Sequence, residues 1–244
     1  MNRESGKSYK EIKAILAVII ILAFIFGFND NKSEFILKNW LLNLFYVFIL
    51  ASLVVLFNVL GYKLAAKYLD AEAEIKILNY NAFKEKFQFA KMHRYILTPV
   101  LPILITLFSN GKLFFTAIST FELKNQNVYG RKFPKLTYFN IGLIAVSGLF
   151  FIFVLIIFFK LLNLDKGVMI GAWFIIWNLL PFSDLPGAKI FFASRAMYLF
   201  SMVFFVLNIL LLQFLSVLTA IIASFFFSIV FAMIYFYFVE YKMS

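Results

Sequence analysis

Side chains that could carry out chemistry are few in this 244-residue chain. It contains one histidine, His93, and no cysteine, which excludes thiol catalysis, disulfide bonds, cysteine zinc sites and sites with two imidazoles from one chain. The remaining candidates are Ser183 and Asp184, which are neighbours, and Glu122 in a separate polar segment. Their spacing gives neither a Ser–His–Asp arrangement nor paired carboxylates. Residue types alone therefore identify no complete catalytic group.

Two polar side chains lie one helical turn apart inside an apolar stretch. Asn58 and Tyr62 have the spacing i and i+4, so a helix presents them on one face. Two histidines with this spacing would suit zinc, whereas a neutral amide oxygen and a phenol are poor ligands. Two interpretations stay open: an ordinary contact between helices, or a polar pocket that holds a peptide strand or a lipid.

The elements that must position these residues are predicted to be membrane-spanning helices. Apolar residues make up 64% of the chain and charged residues only 14%, against about half and a quarter in soluble domains. The net charge of +11 in so apolar a chain suggests contact with anionic lipid headgroups. We expect no nucleic-acid partner, because the lysines of residues 63–94 lie beside acids and no recognition motif accompanies them. We predict an all-α polytopic membrane protein.

Six transmembrane helices are predicted from apolar length, since a bilayer core of about 30 Å requires roughly 20 helical residues. The first follows basic residues and lacks a small-x-small cleavage site, so we interpret it as an uncleaved anchor. The last uncharged stretch is too long for one crossing and must fold back, with Gln213 and Ser216 marking the turn. The stretches are 12–28, 40–62, 138–159, 167–182 and, for two helices, 196–239.

The stretch 95–108 is short for a span, and Pro99 and Pro102 predict a broken helix. If it dips into the membrane and returns, nineteen of the 23 basic residues lie on one side. If it crosses, the basic residues divide almost evenly between the two sides. The positive-inside rule therefore predicts a short re-entrant or β element between helices 2 and 3, and both termini in the cytoplasm of a cell-membrane protein.

Three parts of the chain follow from this topology. Residues 1–39 form an N-terminal anchor helix and loop, and residues 40–200 form the membrane core, with its cytoplasmic and re-entrant region at about 63–137. Residues 196–244 form a C-terminal helical hairpin. Within the core, residues 63–94 are interpreted as a solvated cytoplasmic loop, with a lipid-headgroup patch as the alternative.

Two segments, 57–75 and 177–192, contain the non-reactive residues of two motifs, in the same order along the chain. They resemble the signature regions of the site-2 protease family, the intramembrane zinc metalloproteases, in their compact prokaryotic form. That family has H-E-x-G-H on its second helix, then a basic helix end and a short Ala-Glu-rich strand, and later an N-x-x-P-x-x-x-L-D-G turn. The matching positions are Gly61, Lys63, Asn178, Pro181, Leu185 and Gly187.

The resemblance extends over about residues 40–200. Residues 111–119 resemble the family's small apolar strand or loop within the membrane. Ser147 and Gly148 lie where its Ala-Gly-Pro helix motif begins, with Leu149 in place of the proline. The fold that this resemblance implies is site-2 protease-like.

The reactive positions of that family are replaced in this chain. Asn58 and Tyr62 stand for the two ligand histidines, Val59 for the general-base glutamate and Pro186 for the ligand aspartate. Catalytic zinc requires three N, S or carboxylate ligands, and a valine cannot take a proton from water. His93, in the polar loop, cannot replace two ligands. We therefore expect no catalytic residue, no metal ligand and no cofactor at these positions.

The resemblance leads to the hypothesis of a catalytically inactive site-2 protease-like protein that binds or regulates membrane-protein clients. The expected partners are membrane lipids, together with transmembrane segments of clients or an active protease. One alternative is an active metalloprotease-type peptidase whose catalytic residues are unrecognised. A second is a small-molecule transporter, which the uncharged span interiors disfavour. The expected binding residues, from the turn that lies beside substrate in that family, are Asn178, Pro181, Asp184, Leu185 and Gly187.

Overall fold

The apolar sequence folds into a mostly helical chain. The computed structural model describes residues 2–29, 36–78, 100–125 and 136–241. Eight helices and two short strands lie within these ranges. In chain order they are α1 (Asn2–Gly27), α2 (Leu37–Tyr68), β1 (Ala71–Ile77), α3 (residues 100–108), β2 (Ser119–Asn125), α4 (Tyr138–Leu161), α5 (Asp165–Leu179), α6 (Pro186–Ala193), α7 (Arg195–Leu211) and α8 (Val217–Tyr235), followed by a π-helical turn (Phe236–Tyr241).

Three of the described helical segments are long and apolar enough to cross a membrane. They are α2, α4 and the continuous helix Val217–Val239, which includes the first residues of the π-helical turn. α7 is also apolar but shorter. Large apolar side chains such as Phe45, Phe226 and Phe231 point outwards on these helices, as expected where lipid replaces water. Length, composition and exposed apolar surface together indicate membrane association.

Several predicted helix ends agree with the structure. α4 begins at Tyr138 as predicted, because the hydroxyl of Thr137 accepts a hydrogen bond from the backbone N–H of Asn140. The fold-back predicted near Gln213 lies between α7 and α8, where Ser216 caps α8 in the same way. Both caps bind backbone N–H groups of the first helical turn, which have no partner within the helix.

The predicted solvated loop at residues 63–94 is partly wrong. Residues 63–68 continue α2, and residues 71–77 form strand β1. Ala71, Ala73 and Ile75 are buried while the intervening side chains are more exposed, a period of two that characterises a half-buried strand. The rest of the predicted loop, including His93, lies outside the described residues.

The short β element predicted between the second and third membrane spans is an antiparallel pair of strands. In its register Ile75 lies opposite Phe121, and the backbone N–H of Leu78 donates to the carbonyl of Ile118 at 2.7 Å just beyond the pair. Because β1 starts three residues after α2 ends, the sheet lies beside the C-terminal end of α2. It also contacts the first half of α1, where Glu11 accepts a hydrogen bond from Ile75.

α3 and the extended residues 112–118 form a hairpin that leaves the sheet and returns to it. Leu101 packs near Leu78 and Phe115, at the sheet end of the hairpin. The tip lies at the opposite end of the helices, where an added Cβ on Gly111 would come within 3.0 Å of the Asn29 side chain, just beyond α1. The described part of this segment therefore runs away from the sheet and turns back towards it. Its predicted first part, residues 95–99, lies outside the described residues.

Pro102 does not break the helix, in contrast to the prediction. It is the third described residue of α3, and its carbonyl accepts a hydrogen bond from the Thr106 hydroxyl at 2.9 Å. The helix continues from Pro102 to residue 108.

The core joins α1 to the rest of the protein. α1 packs against α2 and β1. α2 and α4 cross closely at Gly61, whose added Cβ would meet the backbone of Ser147 and Gly148 at 2.7–2.8 Å. α7 and α8 are joined by a hydrogen bond from Asn208 to the Ser224 hydroxyl at 2.8 Å.

Candidate functional site

The C-terminal half of α2 carries the two predicted polar residues into the interior. Asn58 and Tyr62 are both buried. The ring of Tyr62 lies on Gly148 of α4, where any added Cβ would fall 2.1 Å from the ring edge. The Tyr62 ring also contacts the ring of Phe121 in β2, with 4.5 Å between the ring centroids. The helix face predicted from the i, i+4 spacing is therefore an interface with α4 and β2.

The amide of Asn58 retains unused hydrogen-bonding capacity. Its nitrogen Nδ2 has no partner among the described residues, although the side chain is only 3% exposed. A buried donor without a partner costs about 1–3 kcal/mol, so such groups are uncommon outside functional sites. Val59, which the resemblance aligned with a general base, is also buried and brings only apolar surface.

The turn between α5 and α6 is tightly built around Gly187. An added Cβ there would lie 2.2 Å from the Leu179 carbonyl oxygen, so only glycine allows α6 to start against the end of α5. Ser183, in the middle of the turn, has a φ of 55°, a left-handed conformation that is uncommon for a side-chain-bearing residue. Pro186 is the first residue of α6, where the missing N–H needs no partner.

The remaining predicted turn residues differ in their surroundings. Leu185 is fully buried and packs with Phe115 beside Trp177. Pro181 is exposed directly after α5. The turn is therefore held in place by the buried residues Leu185, Pro186 and Gly187, whereas residues 181–184 are exposed.

Asn178 is buried at the end of α5. Its Nδ2 donates to the carbonyl of Phe174 at 2.7 Å, one turn earlier in the helix. Its oxygen Oδ1 has no hydrogen-bond partner among the described residues. The resemblance implied a side chain able to bond an extended peptide, and a free buried acceptor has the required chemistry.

A polar cluster connects the turn to β2. The Nζ atom of Lys189 in α6 lies 3.3 Å from Asp184 and 2.9 Å from the hydroxyl of Thr120, and it also donates to the backbone carbonyl of Phe121. The Thr120 hydroxyl donates to the Asp184 carbonyl at 2.5 Å. The ammonium of Lys189 also lies 4.2 Å from the centre of the Phe121 ring. These contacts fix the turn against the strand.

The electrostatics of this cluster are those of a buried cation. The Lys189 side chain is 14% exposed, and burial lowers its pKa below the ordinary value of 10.5. The carboxylates of Asp184 and, more weakly, Glu122 act in the opposite direction and favour the charged form. The Asp184 side chain is about half exposed, so water shares in stabilising it.

Phe121 joins the two segments that resembled the protease family. Tyr62, from the first segment, contacts one part of its ring, and Lys189, from the second, lies over the ring and binds its carbonyl. Sequence reasoning missed Phe121, Thr120 and Lys189. The available signals were the alternation of residues 119–123 and the single lysine within apolar α6.

The described part of the chain contains no group of three histidine, cysteine, aspartate or glutamate side chains close enough to hold a metal ion. Among the described residues, the site has a buried hydrogen-bond donor without a partner on Asn58 and a buried acceptor without a partner on Asn178. It also has a strand, β2, in which Lys189 binds the backbone carbonyl of Phe121. Such groups can bind a polypeptide backbone, which presents donors and acceptors in alternation.

Comparison of the chain with family models, with curated proteins and with solved structures finds no match.

Proposed function

We propose that this protein is a six-span integral membrane protein with a site-2 protease-like arrangement that binds extended segments of membrane-protein clients without hydrolysing them. In this proposal it resides in the cell membrane with both termini in the cytoplasm. Its partners are lipids and either clients or an active protease with which it competes for them. The observation that carries the proposal is the convergence of Tyr62 and Lys189 on Phe121.

The topology is supported by the positions of the charged groups. Glu11 near the start of α1, Lys63 near the end of α2 and strand β1 meet at one end of the bundle, with 2.9 Å between Glu11 and Lys63. A re-entrant hairpin returns to the same end, so residues 63–137 and the N-terminus share a side. That side then carries the large excess of basic residues, as the positive-inside rule requires for the cytoplasm.

Binding without hydrolysis follows from the side chains at the family's reactive positions. Asn58, Val59, Tyr62 and Pro186 include no carboxylate and no imidazole. A peptide held there would meet no group able to activate water. The same position offers hydrogen bonds through Asn58 and, at the end of α5, through Asn178. These are interactions that hold a backbone in place.

The test uses the purified full chain in lipid nanodiscs and a fluorescent transmembrane peptide with a helix-breaking Asn-Pro centre. We expect saturable binding by the wild-type chain, no cleavage of the peptide and no stoichiometric zinc. Asn178→Leu should weaken binding, whereas Asn208→Leu, which alters a buried asparagine in the α7–α8 contact, should not. Chelator-sensitive cleavage, or zinc at one equivalent per chain, would falsify the proposal.

Two further outcomes distinguish the other classes of function. Cleavage that disappears in Asp184→Ala while the thermal unfolding midpoint is unchanged would identify an enzyme that uses the exposed carboxylate of the turn. Solute flux in sealed vesicles, with no binding of the peptide, would identify a transporter. We expect neither, because Asp184 is half exposed and already paired with Lys189.

A further inference from the structure

An open groove separates the junction of α6 and α7 from the C-terminal end of α8. Its volume is about 500 Å³, which lies within the range of small-molecule sites. One wall consists of residues 191–195. The other contains Tyr235, the last residue of α8, and Val239 of the π-helical turn. Among the described residues that line it, most are aromatic or aliphatic and Arg195 carries the charge.

Both walls of the groove depart from regular α-helix. Ser194, between α6 and α7, is extended with φ −163° and ψ 123°, and its hydroxyl accepts a hydrogen bond from the Met197 N–H at 3.3 Å. On the other side, α8 continues into the π-helical turn Phe236–Tyr241. π-Helical turns are rare and occur frequently at functional sites. The backbone is therefore irregular on both sides of the same groove.

The groove lies at the end of the helices that also carries the sheet. An added Cβ on Gly142, in the first turns of α4, would lie 2.4 Å from the Cβ of Ala193, so the junction packs against the start of α4. α6 also reaches β2 through Lys189. Residues 196–239 contain no charged side chain, so Arg195 lies where a long apolar stretch begins. A basic residue beside aromatic rings at the end of an apolar helix is typical of the membrane–water interface, where phospholipid headgroups lie.

Arg195 is an exposed cation without a counter-ion among the described residues. The ion pairs within that part of the chain involve Lys63, Lys76 and Lys189, and none involves Arg195. Arg195 is also the first residue of α7, whose first turn contains no acidic residue. Because the N-terminal end of a helix carries a partial positive charge, a cation there is unfavourable. An anionic group in the groove would offset the charge of the guanidinium and that of the helix end.

We propose that this groove binds one anionic phospholipid, whose phosphate pairs with the Arg195 guanidinium while its acyl chains lie along Phe192 and Val239. The planar guanidinium can donate two parallel hydrogen bonds to a phosphate, and the apolar walls suit hydrocarbon. A zwitterionic phospholipid also has a phosphate, but its cationic headgroup would be repelled by Arg195. The proposal rests on the membrane location in the proposed function and adds a lipid site that is separate from client binding.

The test measures lipid binding to the purified, delipidated full chain by native mass spectrometry. The probes are phosphatidylglycerol and phosphatidylcholine with identical acyl chains, so that only the headgroup differs. We expect the first equivalent of phosphatidylglycerol to bind about tenfold more tightly than phosphatidylcholine, because no headgroup cation opposes the pairing with Arg195. Glycerol 3-phosphate at the same concentration should not displace the lipid, since it has the charge but no acyl chains.

Four variants separate the groove from general electrostatic attraction. Arg195→Gln should abolish the preference for phosphatidylglycerol. Lys112→Gln, which removes the same charge from an exposed residue near the tip of the hairpin, should keep it. Val239→Trp should weaken binding of both lipids, because the indole fills the groove while Arg195 is retained. Glu240→Gln, which removes the one acidic residue after Asp184 in the sequence, should not reduce the preference.

Several results would overturn the lipid site. They are equal affinities of the wild type for the two lipids, a preference that survives Arg195→Gln, and an equal loss in Lys112→Gln or Glu240→Gln. A dimer that phosphatidylglycerol does not dissociate and that Val239→Trp prevents would identify a second copy of the chain as the occupant instead. Thermal unfolding checks that each variant is folded. If Arg195→Gln does not fold, a folded Val239→Trp variant with unchanged lipid binding counts against the groove.

The transmembrane-peptide assay distinguishes failure of this site from failure of the proposed function. Peptide binding that persists in a chain without lipid preference overturns the lipid site alone. A lipid preference that Arg195→Gln abolishes, in a chain that binds no peptide, supports the lipid site and counts against client binding.

Discussion

The ring of Tyr62 lies directly on the backbone of Gly148, where α2 and α4 cross. A Cβ on Gly148 would fall 2.1 Å from Cε1 and 2.5 Å from Cδ1 of the ring. Tyr62 therefore fills a gap between α2 and α4 that only glycine leaves open. The same ring contacts Phe121, so its position also affects the strand.

Gly148→Ala should destabilise the protein by about 1–3 kcal/mol, because the added methyl group forces the Tyr62 ring out of its place. Combining it with Tyr62→Ala should cost less than the sum of the two single changes, since the obstructing ring is then absent. Denaturant or thermal unfolding in nanodiscs measures all three variants. Fully additive effects would contradict the contact.

Gly61→Ala should be as costly, and Tyr62→Ala should not rescue it. An added Cβ on Gly61 meets backbone atoms of Ser147 and Gly148 at 2.7 and 2.8 Å, and backbone cannot rotate away as a ring can. The two helices would have to separate, and the hydrogen bond from the Ser147 hydroxyl to the Gly61 carbonyl, now 2.9 Å, would lengthen. A stability within 0.5 kcal/mol of wild type, a roughly neutral result, would argue against this crossing.

Gly187→Ala should displace the turn between α5 and α6 and lower stability by about 1–3 kcal/mol. Its Cβ would lie 2.2 Å from the Leu179 carbonyl oxygen, which belongs to backbone. Gly171→Ala is the matched control, because there the added atom meets the side chain of Ile156, which can adjust. The thermal unfolding midpoint of Gly187→Ala should be well below that of Gly171→Ala. The reverse order would mean that the turn tolerates a side chain.

Asn178→Leu should separate binding from stability. The substitution removes a buried acceptor that has no partner among the described residues, along with one hydrogen bond to the Phe174 carbonyl. Its net effect on unfolding should therefore stay within about 1 kcal/mol. Peptide binding should fall because the free acceptor is lost. The two readouts are the unfolding midpoint and the fluorescence titration described above. Loss of both together would assign Asn178 to the fold alone.

Stability should rise with pH as Lys189 loses its proton. Burial lowers the pKa of Lys189 below 10.5, so the unfolded chain binds more protons than the folded chain between the folded-state pKa and 10.5. The free energy of unfolding therefore increases across this alkaline range. Asp184 and Glu122 are the carboxylates that face the ammonium. The unfolding midpoint of the wild type, measured relative to that of Lys189→Met, should therefore rise with pH across this range. A difference in midpoint that does not change with pH would contradict the prediction.

Features with a local physical cause could be predicted from the sequence. Long uncharged runs predicted the apolar helices α2, α4 and α8, because only a helix satisfies its own backbone in lipid. The start of α4 followed from the start of an apolar run, and the turn near Ser216 followed from the two polar residues Gln213 and Ser216 within a long uncharged stretch. The shared face of Asn58 and Tyr62 followed from helical periodicity.

Contacts between segments distant in the chain were decided by the tertiary structure. Lys189 binds a carbonyl 68 positions earlier, and Glu11 binds an amide 64 positions later. No local pattern marks such pairs, because they depend on how helices pack and on which backbone groups a strand leaves outward. The sequence by itself determined a helical membrane protein and the i, i+4 pair on α2. Only packing determined that Phe121 lies between Tyr62 and Lys189, since that position depends on the return path of the hairpin.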